Sequence, residues 1–311
     1  MTDVTADYLA LRRDVAAVHT TTEVIRAFGP ESATFLQGQL SADVAALGPG
    51  EWAWSLLLEP QGKVVAWIRV WGRPGDDEVL LDVGGGAGQV VLDRLNRFRL
   101  RVRTELELLS WECVSLRGPN CPAPEDVDVR SELRAPVSWP GVGGVDLLGP
   151  AVAVPDGVHQ SGAEAFESVR IECGWPAMGA EFLASGEPSV IPAEAGAWLV
   201  DASASFTKGC YTGQELVARV ESRGSNTPRH LRGVVLGENV LPPVGAEVVV
   251  DDKVRGTLTS VGESLDLRAP VALAFMHRSV DPGASAVLRW SSGSGDTVEA
   301  AAQVRALPLI D

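Results

Sequence analysis

Residues 208–219, KGCYTGQELVAR, hold the side chains whose types and spacing could most directly do chemistry. Cys210 follows Lys208 by two positions, and Gly209 and Gly213 stand on either side of the Cys-Tyr-Thr core. A cysteine acts as a nucleophile or a metal ligand in its thiolate form, which a nearby cation favours. The glycines allow a tight turn and the close approach of a ligand. The alternative is a small buried cysteine in a structural turn, the commoner use of a free cysteine.

A helix is predicted to follow this cysteine, over residues 213–223. Thr212 and Glu215 have the spacing of a capping box, which makes Thr212 the expected N-cap residue. Cys210 would then lie two residues before the cap, near the positive end of the helix dipole, which also favours a thiolate. The helix would carry one charged stripe at four-residue spacing, formed by Glu215, Arg219 and Arg223.

The other residues that could do chemistry are isolated in the sequence. Cys113, Cys121 and Cys173 form no CxxC pair, which argues against a structural zinc site and a disulfide framework. The four histidines lack metal-ligand spacing, the run VGGGAGQ fails the GxGxxG pattern, and there is no GxSxG motif. Most of the nine tryptophans are expected in the core; alternatively, one or two could line a cleft that stacks a flat heterocycle.

The charge balance restricts the partners. Acidic residues outnumber basic ones 41 to 26, whereas a nucleic-acid-binding surface needs clustered lysine and arginine, so direct nucleic-acid binding is not expected. The run RLNRFRLRVR (94–103) is either the solvated face of an element or a local basic patch. No apolar run approaches the ~20 residues of a membrane span, and the first residues lack a signal-peptide pattern. We therefore expect a cytoplasmic location and no membrane association.

The N-terminal third predicts mixed α and β elements. They are a helix at 31–47, strands at 52–58, 63–71 and 77–83, a helix at 87–98 and a strand at 100–109. Ser32 opens the first helix, and Gly62 lies at the turn of a hairpin in the segment EPQGK. The order α-β-β-β-α-β indicates an α+β fold and not a regular βαβ repeat.

The C-terminal part has a different pattern. Short apolar runs separated by turn residues predict a small antiparallel barrel, with strands at 231–236, 245–250, 254–261, 271–277, 284–290 and 297–305. A helix at 163–174 lies in the region before it. We expect three modules: an N-terminal α+β region over 1–117, a second α+β module over 118–226 that is intertwined with the first, and the barrel over 227–311.

The stretch KGCYTGQE resembles the signature of the YgfZ family, Lys-Gly-Cys-[Phe/Tyr]-x-Gly-Gln-Glu. This family consists of folate-binding relatives of the glycine-cleavage T-protein. Four further segments are similar to the family and extend the resemblance over nearly the whole chain: FLQGQLSADV (35–44), LEPQGKVVAW (58–67), RIECGWPAMGAEF (170–182) and IPAEAG (191–196).

The resemblance implies a fold and a function. The fold would be the T-protein-like arrangement of two α+β modules and a C-terminal barrel around a central, folate-sized channel. The function would be tetrahydrofolate-dependent support of iron–sulfur cluster assembly or repair, with iron–sulfur enzymes or assembly proteins as partners. A tRNA methylthiolation enzyme would be among those served. The connection to tRNA would be indirect, in agreement with the acidic composition.

The resemblance also implies roles for particular residues. Cys210 would be the key catalytic cysteine, and Lys208 would complete its loop as the second catalytic residue. Cys210 would be a transient metal ligand at most, because a stable cluster usually takes four cysteines. Glu172 aligns with the T-protein glutamate that binds the pterin; alternatively, it is a solvent-facing glutamate at a helix end. The remaining candidates for folate contacts are Arg170, Gln214, Glu215, Arg219 and Arg223.

One departure from the T-protein bears on the reaction. The T-protein has a catalytic aspartate after its hairpin glycines, in the pattern Gly-Gly-x-x-Asp-Asp, whereas residues 62–67 here are GKVVAW. Aminomethyl transfer needs a charged partner for the attacking folate nitrogen. The absence of a carboxylate disfavours a glycine-cleavage aminomethyltransferase, which stays the enzymatic alternative. A third alternative is a non-catalytic interaction module whose loop binds a partner protein.

Overall fold

The computed structural model describes residues 3–73, 77–183, 189–222, 224, 226–293 and 295–310. The α-helices are α1 (Val4–Arg13), α2 (Ser32–Gln39), α3 (Gly88–Phe98), α4 (Ala163–Glu172), α5 (Pro192–Ala195), α6 (Ala197–Ser203) and α7 (Gln214–Glu221). The strands are β1 (Ala16–Thr20), β2 (Glu23–Phe28), β3 (Trp52–Leu58), β4 (Val64–Arg73), β5 (Glu78–Val83), β6 (Glu105–Leu109), β7 (Glu112–Arg117), β8 (Leu133–Pro136), β9 (Gly144–Gly149), β10 (His159–Gln160), β11 (Arg229–Leu236), β12 (Glu247–Val250), β13 (Lys253–Ser264), β14 (Ala269–His277), β15 (Ser285–Ser291) and β16 (Thr297–Arg305). Among the described helices, none has the length and apolar character needed to cross a membrane.

The chain divides into two compact units, each built from separate segments of sequence. The first unit comprises Met1–Thr20, Cys113–Pro176 and Pro228–Asp311, and the second comprises Thr21–Glu112 and Ala177–Thr227. The signature segment therefore belongs to the second unit, and Glu172 belongs to the first. The three consecutive modules expected from the sequence stay a prediction.

The first unit contains a five-stranded sheet and a barrel. The sheet has the order β10-β1-β7-β9-β8, in which β1 is antiparallel to β7 and parallel to β10. The alternate residues Val114 and Leu116 of β7, and Val145 and Leu147 of β9, point into one apolar cluster. This is the period-two pattern of strands with one buried face.

The predicted C-terminal barrel is confirmed. Six strands close in the order β11-β14-β13-β12-β15-β16, each in the region where the apolar runs placed it. The inward side chains alternate along the strands; Val234 and Leu236 of β11 and Ala272, Ala274 and Met276 of β14 are all buried in one core. Closure pairs every strand on both sides, so this barrel has no free edge.

The second unit is built on a five-stranded sheet of order β3-β4-β5-β2-β6. The predicted β3–β4 hairpin is confirmed, and Gly62 at its turn has a φ of +69°. Trp67 and Trp71 on β4 are buried, as predicted for core tryptophans, while Trp52 and Trp54 on β3 are half-buried. The tryptophans thus form part of the core of this sheet, and Trp54 stacks on Trp67 with ring centroids 4.3 Å apart.

Two predicted elements of this unit are shorter than expected. The helix predicted over 31–47 begins at Ser32, as expected, but ends at Gln39. The chain then turns so that Leu40 forms an isolated bridge with Leu57, and only Val44–Ala46 resumes a 3₁₀ turn. The strand predicted over 100–109 begins at Glu105.

Candidate functional site

The signature segment packs on the β3–β4 hairpin through two glycines. A Cβ on Gly62 would lie 2.6 Å from the Leu216 side chain of α7, and a Cβ on Gly213 would lie 2.8 Å from the Glu59 carbonyl oxygen. Both glycines have a positive φ, +69° for Gly62 and +84° for Gly213, a backbone conformation that residues with a side chain rarely adopt. Each element therefore has a glycine where the other approaches, and this close packing fixes the start of α7.

The capping box predicted for this helix is wrong. The N-cap residue is Gly213, in the left-handed conformation, and no side chain caps the helix. The close approach of the hairpin backbone decides the position of the first turn, and it overrides the local preference of Thr212. The four-residue spacing of Glu215 and Arg219 is confirmed as an ion pair with an N–O distance of 2.5 Å. Arg223 lies outside the described residues, and the helix ends at Glu221 with Ser222 as its C-cap residue.

Lys208 points back toward the end of α2. Its Nζ donates to the carbonyl oxygens of Gln37 at 2.6 Å, Leu40 at 2.6 Å and Ala42 at 2.8 Å. An ammonium group has three N–H donors, so these three acceptors satisfy it completely. Burial lowers the pKa of Lys208 to about 8, and the carboxylate of Asp43 opposes that shift.

Cys210 is exposed, two residues after this anchor. All four cysteines lie in the described part of the chain, and among them Cys113 and Cys173 are buried and Cys121 is half-buried. Burial raises the pKa of the Cys121 thiol and raises that of Cys173 to about 12. Cys210 is thus the most exposed of the four cysteines.

Tyr211 follows the cysteine and turns inward. Its side chain is buried, and its ring centroid lies 5.1 Å from the Lys208 Nζ, within range of a cation–π contact. The Tyr211 hydroxyl has no hydrogen-bond partner among the described residues, and burial raises its pKa. The loop therefore alternates an inward lysine, an outward cysteine and an inward tyrosine.

Glu172, in the first unit, is completely buried, which rules out the solvent-facing alternative. Its Oε1 accepts a hydrogen bond from the Tyr8 hydroxyl at 2.5 Å, and its Oε2 lies 3.6 Å from the Arg12 Nε. Burial raises the pKa of Glu172, while the hydrogen bonds from Ser264 and Tyr8 and the charge of Arg12 oppose that change. Oε2 has no hydrogen-bond partner in the described part of the structure.

Arg170, proposed from the sequence as a folate contact, is buried in the same unit. Its guanidinium donates to the Glu167 carboxylate, to the Trp175 carbonyl at 2.5 Å and to the Ser260 hydroxyl at 2.6 Å. These contacts join α4 to the chain after it and to β13, so Arg170 has a structural role in this unit.

The residues that hold Lys208 were not predicted. Every residue has a backbone carbonyl, so the residue type does not show which carbonyl will accept a hydrogen bond. Gln37, Leu40 and Ala42 also lie more than 160 residues before Lys208 in the sequence. The one available indication was that FLQGQLSADV and KGCYTGQE belong to the same resemblance. Among the described residues, no group of three or more His, Cys, Asp or Glu side chains could hold a metal ion.

Comparison with known proteins places this geometry in a family context. The chain is 25% identical over 224 residues to the tRNA-modifying protein YgfZ of Photorhabdus laumondii, covering 65% of each protein. It is 24% identical over 247 residues to the mitochondrial iron–sulfur cluster assembly factor IBA57 homolog of Neurospora crassa, covering 73% of this chain and 55% of that protein. It is 27% identical over 312 residues to the aminomethyltransferase of Thermus thermophilus, covering 90% and 84%. No family model matches the sequence.

The fold agrees with a solved structure. The glycine cleavage system aminomethyltransferase T of Bartonella henselae superposes with a TM-score of 0.77 over 99% of this chain and 89% of that one, at 20% identity. The fold is therefore that of the T-protein, as expected from the sequence. Within that class the chain is YgfZ-like, since its homologues include YgfZ and IBA57 proteins beside the aminomethyltransferases.

Proposed function

We propose that this protein is an iron–sulfur cluster assembly or repair factor in which Cys210 is the working thiol. The observation that carries the proposal is the exposure of Cys210 in a loop that Lys208 anchors on one side and Gly213 on the other. The relatives named YgfZ and IBA57 support the same class of function.

A single thiolate suits a transient role. A stable cluster usually takes four cysteine ligands, and the other three cysteines are buried or half-buried. Cys210 would instead bind iron of a cluster in transit, as one ligand of a substrate that partner proteins complete. The enzymes whose clusters are assembled or repaired would include those that methylthiolate tRNA. The acidic chain itself would not contact the tRNA.

Tetrahydrofolate or a derivative is the proposed ligand, on the strength of the family. The paired hydrogen bonds from a pterin to Glu172 do not fit the present arrangement, because Tyr8 occupies Oε1 and the whole side chain is buried. Arg170 is also engaged within its own unit. The folate contacts are therefore expected at other residues, and Gln214, Glu215 and Arg219 of the signature stay candidates.

Folate binding is tested by calorimetric titration of the purified protein with a reduced folate. We expect saturable binding that Glu172→Gln leaves unchanged. No heat of binding would remove folate from the proposal, and a large loss of affinity in Glu172→Gln would reinstate Glu172 as a pterin ligand.

The aminomethyltransferase alternative is disfavoured by β4. Ala66 and Trp67 occupy the positions where the T-protein pattern has its two aspartates, and both are buried apolar residues. A proton-accepting or charge-stabilising group for the folate nitrogen is missing there. A test with aminomethylated carrier protein and tetrahydrofolate is expected to give no methylenetetrahydrofolate.

The thiol is tested in extracts of cells that lack the native protein. Purified protein is added and the recovery of an oxygen-damaged iron–sulfur dehydratase is followed. Wild type and the control Cys121→Ser are expected to promote recovery, and Cys210→Ser is not. Equal recovery with Cys210→Ser would favour the interaction module and remove the working thiol.

A further inference from the structure

The lysine of the signature has all its donors occupied by backbone. The three carbonyl oxygens at 2.6, 2.6 and 2.8 Å converge on Nζ, so none of its N–H groups is left to meet a substrate. A protonated lysine also cannot act as a base. The catalytic role expected for Lys208 therefore finds no support in these contacts, although the residue is firmly held.

Two of the three acceptors are carbonyls at the end of a helix. Gln37 lies in the last turn of α2 and Leu40 is its C-cap residue. Ala42 lies in the turn that follows, and its carbonyl also accepts from the Val44 N–H at 3.1 Å. The last carbonyls of a helix have no intrahelical donor and carry the negative end of the helix dipole. The half-buried ammonium group of Lys208 donates to the carbonyls of this turn and complements the dipole. We call these three carbonyls the carbonyl cradle.

The cradle is itself fixed in the second unit. The Ser41 hydroxyl donates to the Ser203 carbonyl at 2.5 Å and accepts from the Leu56 N–H at 2.7 Å. The Ser41 carbonyl accepts from the Ser205 N–H at 2.9 Å. The turn that holds Lys208 is thus tied to β3 and to the segment that leads into the signature, and it provides a rigid support.

The residue type fits the geometry. Of the 26 lysine and arginine residues, only Lys63, Lys208 and Lys253 are lysines. An ammonium directs three N–H bonds from one atom, whereas a guanidinium spreads its donors over a planar fork. Three carbonyls that converge on one point therefore select lysine in a chain that otherwise uses arginine.

We propose that Lys208 is a positioning residue, which holds the signature loop in the carbonyl cradle and thereby sets the exposed geometry of Cys210. That the exposed geometry of Cys210 matters for activity rests on the proposed function. The binding of Lys208 in the carbonyl cradle does not depend on that function. Below its pKa of about 8, Lys208 has a donor for each of the three carbonyls, and the neutral amine has only two. All three hydrogen bonds from Lys208 to the carbonyl cradle are therefore present at neutral pH.

The test measures the alkylation of Cys210 by iodoacetamide in purified Lys208→Ala protein, followed by mass spectrometry. Without this anchor we expect alkylation at neutral pH to slow by about three- to tenfold, because the released loop no longer holds the thiol in its exposed position and thiol reactivity depends on exposure. Alkylation of Cys121 in the same molecules is the internal control and should not change. Deuterium exchange of the peptide spanning 37–42 should become faster.

Chemical rescue tests whether hydrogen bonds to the carbonyl cradle, and not charge alone, position the loop. Ammonium chloride can occupy the space left in Lys208→Ala and restore both the alkylation rate of Cys210 and the protection of residues 37–42. Tetramethylammonium chloride has the charge without N–H donors and should not. An unchanged Cys210 rate in Lys208→Ala, or equal rescue by the two salts, would overturn the proposal.

A second variant covers the case in which Lys208→Ala does not fold. Lys208→Met keeps an apolar stem of similar length and removes both the donors and the charge. It should show the same slow alkylation and the same loss of protection, without rescue by ammonium. These readouts do not depend on iron–sulfur chemistry, so a failure here is distinguishable from a failure of the proposed function.

Discussion

The two glycines of the signature loop make different demands, and replacing each by alanine separates them. At Gly213 the backbone has a φ of +84°, and a Cβ would lie 2.8 Å from the Glu59 carbonyl oxygen and 2.9 Å from the Leu58 Cβ. At Gly209, no atom of the described residues lies within 4 Å of the position a Cβ would take, apart from the glycine itself and its two chain neighbours. Gly209→Ala is therefore a matched control in the same loop.

The expected magnitude follows from these contacts. An alanine in the left-handed region costs about 1–2 kcal/mol. Forcing an extra carbon into a packed contact adds about 1–3 kcal/mol, and the smaller entropy of the unfolded chain returns about 0.4–1 kcal/mol. We expect Gly213→Ala to lower the free energy of unfolding by roughly 2–4 kcal/mol, a large share of the ~5–15 kcal/mol typical of a domain. Gly209→Ala should change it by less than ~1 kcal/mol.

The change in the free energy of unfolding is measured by urea denaturation, with tryptophan fluorescence as the signal. The signal reports on this region because the sheet on which the loop packs contains Trp52, Trp54, Trp67 and Trp71. With an m-value of about 2–3 kcal/mol per molar urea, the midpoint of Gly213→Ala should fall by about 1 M. The reasoning is refuted if Gly213→Ala is as stable as wild type, or if Gly209→Ala is destabilised as much as Gly213→Ala.

Four further outcomes are expected. Tyr211→Phe removes a buried hydroxyl that has no partner among the described residues, so the free energy of unfolding should stay the same or rise by up to ~1 kcal/mol; a larger loss would show that the hydroxyl is used. Asp82→Asn takes the counter-charge from the buried Arg69, and denaturation should show a loss of about 3–5 kcal/mol. The pKa of Glu172 is higher in the folded state than in the unfolded chain, so its contribution to stability is lost as the pH rises above the ordinary glutamate pKa of 4.5. Glu172→Gln should flatten that part of a curve of unfolding free energy against pH. An unchanged slope would contradict the effect of burial on this pKa. In ¹³C-lysine NMR, the signal that Lys208→Arg removes should titrate with a midpoint near 8; a midpoint near 10.5 would mean that burial does not lower the pKa.

The strands of the hairpin and the barrel could be predicted because each is a short β-rich or apolar run bounded by turn residues. Such runs depend only on neighbouring residues, and in the folded barrel alternate residues of β11 and β14 enter one core. The end of α2 could not be predicted in the same way. Helical spacing continues through Leu40 and Val44, but the backbone leaves the helix where its carbonyls meet Lys208.

The candidate site shows the same limit. Cys210 was found from its loop and from the family resemblance, since glycine, lysine and cysteine leave a local pattern. The partners of Lys208 and Glu172 are supplied by distant residues, and Tyr8 lies 164 positions away from the carboxylate it contacts. Thr212 has the residue type of a cap, yet the approach of Glu59 to Gly213 decides where α7 begins.

The central claim is that the Cys210 thiol supports iron–sulfur enzymes, and its most direct measurement is the level of methylthiolated nucleosides in the tRNA of cells that lack the native protein. The wild-type protein, Cys121→Ser and Cys210→Ser are expressed to equal levels, and the nucleosides are quantified by mass spectrometry. We predict that wild type and Cys121→Ser restore the methylthiolated nucleosides and that Cys210→Ser leaves them at the level of the deletion. Full restoration by Cys210→Ser would contradict the account.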